Sequence, residues 1–282
     1  MPRRCLLAFA LFALLASGTR AQNPLGEEAP YIRTPQVVVD KMLDLAEVGP
    51  DDFLIDLGSG DGRIVITAAQ MRGARGFGVE LDPKLVEASN AAARNVGVAE
   101  RVRFFARDLF DTDIREATVL TLYLLPEVNL QLRPRILAQL KPGTRVVSHD
   151  WDMGEWQPDA KAVLQGLAKP VMPTGASTVY LWIVPARVAG SWSLQIEGTD
   201  GQESMEIEFT QRFQEISGVA RRTRGQTLLQ SAHLRGAEIR FAVIDEARRP
   251  SVPLQFFGRV FGDTMEGSTG AGRRWRAERK PG

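Results

Sequence analysis

The chain has 282 residues, with 35 basic and 34 acidic side chains and a formal charge of +1. Its hydrophobic content of 44% and charged content of 24% exclude disordered, collagenous and coiled-coil chains, and the balanced charge offers no global field for wrapping nucleic acid. One cysteine, Cys5, and two histidines, His149 and His233, leave no disulfide framework and no thiolate or His-rich metal site.

Residues 1–21 read as a secretory signal. Arg3 and Arg4 form a positive n-region, Leu6 to Ala16 is unbroken and apolar, and Thr19-Arg20-Ala21 offers a cleavage site. The apolar run falls short of the ~18 residues of a membrane span. Arg3-Arg4 is a partial twin-arginine pattern, which leaves folded and unfolded export open. The expected location is exported, periplasmic or envelope-associated, and cytoplasmic if the leader is misassigned. Residues 22–30, broken by Pro24, Gly26 and Pro30, read as a linker.

From 31 to 185, short apolar runs alternate with helical segments. The runs are Phe53–Leu57, Gly76–Glu80, Val102–Phe105, Val119–Leu125, Thr144–Ser148 and Thr178–Val184; the helical stretches lie near Val37–Ala46, Arg63–Met71, Pro83–Asn95, Asn129–Leu140 and Asp159–Leu167. This alternation predicts an α/β fold, a doubly wound and mostly parallel sheet covered on both faces.

After Pro185 the period changes. Trp192-Leu194-Ile196, Met205-Ile207-Phe209 and Ile239-Phe241-Val243 alternate with polar neighbours, and turn residues recur between them, among them Gly198-Thr199-Asp200-Gly201 and Arg249-Pro250-Ser251. Residues 186–282 are therefore expected to form an antiparallel β-barrel or sandwich. A tryptophan on its first strand, in Gly190-Ser191-Trp192, and an arginine on its last, where Arg273-Arg274-Trp275-Arg276 stands, would stack across a closing barrel, an arrangement similar to lipocalin-like barrels.

The chemistry is concentrated in Asp56-Leu57-Gly58-Ser59-Gly60-Asp61-Gly62, between a predicted strand and a helix. Its glycines permit a tight turn and a close approach of backbone to ligand. Arg63 stands where a dinucleotide fingerprint wants its third glycine, which disfavours an NAD-type oxidoreductase. Glu80 ends the second strand, where a carboxylate can accept from both ribose hydroxyls. After the third strand, Asp108 can accept from an adenine amine, with Leu109 and Phe110 as an apolar wall. Acids at the ends of three successive strands suit a nucleoside that carries positive charge.

This combination resembles a class I S-adenosylmethionine-dependent methyltransferase with a Rossmann-like fold. Pro30-Tyr31-Ile32-Arg33-Thr34-Pro35, DLGSGDGRI (56–64), GVELDP (78–83) and DLF (108–110) resemble the lysine methyltransferases of the ATP synthase c-subunit and the adenine nucleotide translocase. The resemblance implies S-adenosyl-L-methionine as cofactor. It places Asp56, Gly58, Gly60 and Gly62 around the methionine part, Glu80 on the ribose and Asp108 on the adenine, with Tyr31 and Thr34 closing over the methionine end.

The fourth strand leads into Leu122-Tyr123-Leu124-Leu125-Pro126-Glu127, without the Asn/Asp-Pro-Pro-aromatic sequence typical of enzymes acting on adenine or glutamine amides. Tyr123 and Glu127 are the candidates for orienting or deprotonating an amine. His149-Asp150-Trp151-Asp152 falls short of a divalent-cation site, so no metal is expected. The expected partner is a protein substrate, membrane or envelope proteins included, or a small molecule, and not a nucleic acid. Membrane contact by the β-rich half stays open. The alternative is an exported nucleoside- or lipid-binding protein with a degenerate methyltransferase frame.

Overall fold

Between Ile32 and Ile183 the chain folds into α1 (Gln36–Leu45), β1 (Phe53–Leu57), α2 (Arg63–Arg72), β2 (Arg75–Glu80), α3 (Pro83–Asn95), β3 (Val102–Ala106), β4 (Val119–Leu122), α4 (Pro126–Gln139), β5 (Arg145–His149), β6 (Ala160–Gln165) and β7 (Ala176–Ile183). The structure is a computed structural model that describes residues 32–166, 175–198, 203–222, 225–244 and 252–281. The expectations for the leader, the linker, Tyr31 and the turns at 199–201 and 249–251 lie outside the described residues.

The seven strands run in the order β3-β2-β1-β4-β5-β7-β6, parallel from β3 to β5, with β7 antiparallel to β5 and β6. One face is covered by α1, α2 and α3 through Val38, Val39, Met42, Leu43, Val65, Ala68 and Ala93, which pack with Leu54 and Val119. Side chains alternate along a strand, and the opposite-facing Ile55, Leu120 and Val146 are fully buried as well. Local chemistry sets the helix ends. Asp82 caps α3 by accepting from the Lys84 amide at 2.8 Å, ahead of Pro83 in the first turn, and Gly97 follows the last turn at φ 75°. α2 stops at Gly73, also left-handed.

One expected helix is a strand. Residues 160–165 form β6, with Ala160, Ala162 and Leu164 half-buried in strict alternation with the exposed Lys161, Val163 and Gln165. Asp159 pins its start, accepting from the Ile183 amide at 2.7 Å while its own amide donates to the Leu181 carbonyl at 2.8 Å. The ladder to β7 outweighs the helix preference of Ala, Lys, Leu and Gln.

The second sheet comprises β8 (Gly190–Ile196), β9 (Glu203–Arg212), β10 (Glu215–Arg222), β11 (Gly225–Leu228), β12 (Gln230–Arg235), β13 (Glu238–Ile244), β14 (Pro253–Phe261), β15 (Thr264–Thr269) and β16 (Arg274–Arg279). Its nine strands are antiparallel in the order β11-β10-β9-β8-β16-β15-β14-β13-β12, so the first strand pairs with the last. β11 pairs with β10 and β12 with β13, separated only by Leu229, whose amide donates to the Gly218 carbonyl of β10 at 2.9 Å. The sheet is thus a nearly closed barrel. Phe241 stacks on Phe256 at 4.7 Å inside it and meets Phe209 and Trp275 edge-on. The Arg279 guanidinium lies 4.4 Å over the Trp192 ring and donates to the Ala189 and Arg187 carbonyls. The arginine that stacks on the first-strand tryptophan is therefore Arg279, at the end of β16, and not one of Arg273, Arg274 or Arg276.

Candidate active site

The parallel strands all deliver their C-terminal ends to one edge, where open α/β sheets hold their ligands, and the strand order reverses between β1 and β4. Asp56 stands at that reversal and is only 2% exposed. Its Oδ1 accepts from the Thr121 hydroxyl of β4 at 2.7 Å, and its buried Oδ2 has no hydrogen-bond partner. Burial pushes its pKa up to about 7; the Thr121 bond opposes the shift, while the charges of Glu80 and Asp61 add to it. A buried acid with a free oxygen, beside two further carboxylates, is a receptor for a cation.

Gly58, Gly60 and Gly62 all adopt positive φ, at 78°, 53° and 76°. At two of these positions a Cβ would also meet a neighbouring side chain, the terminal methyl of Leu124 at Gly58 and the stiffer Phe104 ring at Gly62. At Gly58 it would lie 2.8 Å from Leu124, and at Gly62 2.6 Å from the Phe104 ring. The turn is held from behind, the Ser89 hydroxyl donating to the Gly60 carbonyl at 3.1 Å. Glu80 Oε2 accepts from the Gly60 amide at 3.0 Å, and its Oε1 accepts from the Leu81 and Asp82 amides at 2.7 and 3.2 Å. That fixes the carboxylate at the rim of the turn. Asp108 is exposed and opens the 3-10 turn Leu109–Asp111, accepting from the Phe110 amide at 2.8 Å, with Leu109 and Phe110 alongside. The structure therefore brings Asp56, the glycines and Glu80 together and puts Asp108 after the next strand of the same edge.

Thr34 is buried and lies 3.4 Å, Oγ1 to Nδ1, from His149 at the end of β5. Its carbonyl accepts from Arg63 at 2.7 Å, and Arg63 also forks onto Asp61 of the glycine turn at 2.6 and 2.8 Å. Arg63, at the position of a fingerprint glycine, thus straps the segment before α1 to the turn. Neither Arg63 nor Thr121 stood out in sequence as a site residue. A lone polar residue inside the apolar strand VLTL was the one signal for Thr121.

On the other side of the reversal, the half-buried Tyr123 ring lies 4.0 Å from the His149 ring. Burial, together with the charge of Asp150, pushes the Tyr123 hydroxyl up to about 12. His149 is fully buried, with Nε2 at 3.1 Å from the Ser177 hydroxyl and 3.3 Å from Asp150. Glu127 is exposed in the first turn of α4, at the positive end of the helix dipole, and no hydrogen bond joins it to Tyr123. The carboxylates of Asp150 and Asp152 accept from the Thr178 and Gly154 amides, at 3.0 and 2.9 Å.

These features fit S-adenosylmethionine. Its ammonium matches the unsatisfied Asp56 oxygen, its ribose matches Glu80, and the glycine turn leaves room for its methionine chain. A family model described as the ANTKMT methyltransferase domain matches residues 56–160. A protein-lysine N-methyltransferase of Saccharolobus islandicus (strain REY15A) is 44% identical over 130 residues, which are 46% of this chain and 81% of that protein. The adenine nucleotide translocase lysine N-methyltransferase of Mus musculus is 33% identical over 55% of this chain and 67% of its own length. Among solved structures, an RNA methyltransferase from Salinibacter ruber in complex with S-adenosyl-L-homocysteine is 54% identical, with a TM-score of 0.51 over 56% of this chain and 96% of that one. The chain belongs to the ANTKMT family of S-adenosylmethionine-dependent methyltransferases.

Proposed function

We propose that this methyltransferase modifies the ε-amino nitrogen of lysine in a protein of the cell envelope. Two relatives named for protein lysine support the acceptor class, and Tyr123 is the observation that carries it. Tyr123 follows directly on β4, the strand that pairs with Asp56's β1, where the amide and adenine enzymes would carry an Asn/Asp-Pro-Pro-aromatic sequence.

When bound, the cofactor supplies an electrophilic methyl whose transfer leaves the C–S electron pair on sulfur. Asp56 would hold its ammonium, Glu80 would accept from its ribose hydroxyls, and the glycine turn would leave room for its methionine chain. An incoming lysine must be neutral, and with an ordinary pKa of ~10.4 only about one in a thousand is neutral near pH 7. Tyr123, its hydroxyl pushed up to about 12, stays protonated and does not act as a base. Its oxygen accepts an amine N–H and turns the nitrogen lone pair toward the methyl, a contribution of alignment. The proton lost by the amine before attack passes to water.

The envelope location rests on the leader at residues 1–21, and the Arg3-Arg4 pair suits export of a folded, donor-loaded chain. The second reading is RNA as acceptor, favoured by the description of the Salinibacter protein and disfavoured by a net charge of +1. The test incubates the full chain and its Glu80→Ala variant with methyl-labelled donor, an envelope protein extract and total RNA. Label recovered as methyllysine, and lost together with donor affinity in Glu80→Ala, is the expected result. Label in RNA overturns the lysine reading, and a retained leader on cytosolic protein overturns the envelope one.

A further inference from the structure

The barrel lies outside the residues matched by the family model, and 96% of the Salinibacter chain is matched by only 56% of this one. Its place in the enzyme emerges where the turn between β9 and β10 meets the loop after β5. Three consecutive residues grip three consecutive residues. Arg212 pairs with Glu155 at 3.0 Å, the Phe213 ring stacks on Trp156 at 6.1 Å and 16°, and Gln214 Nε2 donates to the Gln157 carbonyl at 2.6 Å.

Both sides are built for this. Phe213 holds φ 55°, and Gln211 locks the turn by donating to the Phe213 and Ala186 carbonyls at 2.7 and 2.8 Å. Gln211 Oε1 also accepts from the Val188 amide at 2.7 Å. Trp156 is fully buried, and its carbonyl accepts from the Trp182 indole at 2.7 Å. Arg133 of α4 completes the joint, lying 5.5 Å over the Phe213 ring while donating to the Met153 carbonyl at 2.7 Å. From there Asn129 reaches the Trp151 and Asp152 carbonyls at 3.3 and 3.4 Å and the Ser148 hydroxyl at 3.2 Å. The loop so held runs directly out of His149, on which Tyr123 lies.

We propose that the barrel's β9–β10 turn, through Phe213, is the positioning device for the loop 150–157 that forms the acceptor side of the active site. It rests on the reading of Tyr123 and the β5 edge as the acceptor side. Phe213 touches neither donor nor acceptor; it acts through Trp156 and Arg133. The donor side, formed by the turn after β1 and by Glu80 at the end of β2, is separated by β4 from β5, whose loop the hairpin holds, so the two substrates should separate cleanly.

The experiment compares the full wild-type chain with Phe213→Gly, which keeps the left-handed backbone and removes the ring, and with Phe213→Tyr, which restores a ring. Polylysine is the acceptor probe, and amide hydrogen exchange is followed in parallel. The expected result for Phe213→Gly is an acceptor KM raised about tenfold or more, with donor Kd held within about twofold, and recovery in Phe213→Tyr. Exchange should quicken at 151–157 and stay unchanged at 58–62. An unchanged acceptor KM, or equal losses on donor and acceptor sides, overturns the proposal. If the wild-type chain leaves polylysine unmethylated, the lysine reading falls instead. The exchange arm then decides for the hairpin: faster exchange confined to 151–157 upholds it, and unchanged exchange overturns it.

Discussion

Asp56 concentrates the tension between binding and stability in one side chain. Its folded pKa of about 7 stands above the ordinary 3.8, so between those values the folded protein holds a proton that the unfolded chain has released. Stability of the ligand-free protein therefore falls as pH rises from about 4 to about 7, the reverse of a salt-bridged carboxylate. Asp56→Asn keeps an acceptor for Thr121 and removes the buried charge. It should raise the melting temperature at about pH 8, leave it nearly unchanged at about pH 4, and cost at least about tenfold in donor affinity. Wild-type donor affinity should itself weaken below about pH 7, because a protonated Asp56 cannot pair with an ammonium; calorimetric titration across that range checks both. Tyr123→Phe removes a hydroxyl and keeps the ring on His149. Expected is a loss of about 10- to 100-fold in kcat, with donor affinity retained and no change in the shape of the pH profile near neutrality. A shifted profile would mean that Tyr123 does titrate during turnover. Asp56 and Glu80 were legible because strand ends and a glycine turn fix their spacing. Thr121 and the fork of Arg63 onto Asp61 and Thr34 were not, since their partners lie on other elements.

At the scale of elements, the turn after β1 works because α3 and β3 press against it. Gly62 is left-handed and meets the Phe104 ring, while Asn90 ties that ring's backbone to α3, donating to the Phe104 carbonyl at 2.9 Å and accepting from its amide at 3.1 Å. Gly62→Ala should therefore destabilise by about 1–3 kcal/mol, read by urea unfolding, through both backbone strain and the clash. Full stability in that variant would show that Phe104 yields without cost. The helices α1 to α3 were readable from period and caps. α4 begins at Pro126 rather than near Asn129, because proline at a first helical position continues the strand exit directly into helix. The segment 160–165 misled for a physical reason: its residues favour helix locally, and only an unpaired edge of β7 makes them a strand.

For the whole molecule, the first and last strands of the barrel join along the β8–β16 ladder, with a side-chain clasp at one end of it. Arg279 stacks on Trp192 and satisfies two carbonyls ahead of β8, so Arg279→Ala should cost about 1–3 kcal/mol in barrel stability. Lysine at that position should not restore it, because a single ammonium cannot stack and bridge as a planar fork does. Thermal unfolding of the two variants beside wild type checks this, and equal stability of the alanine variant would assign closure to the β8–β16 ladder alone. Ile32–Gly282 form one compact unit, so a change in the barrel has a route to the first sheet.

The amino-acid sequence by itself determined the alternating α/β half, the antiparallel half, the placing of Asp56, Glu80 and Asp108 along one sheet edge and the methyltransferase family, because each is written in short-range spacing: period, glycine turn and strand-end carboxylate. The tertiary structure alone decided the Asp56–Thr121 pairing, the strand identity of β6, the tilted packing of Tyr123 on His149, and the grip of Arg212, Phe213 and Gln214 on the loop after β5. Each of these joins residues that no local period connects, and it exists only once burial has brought their elements together.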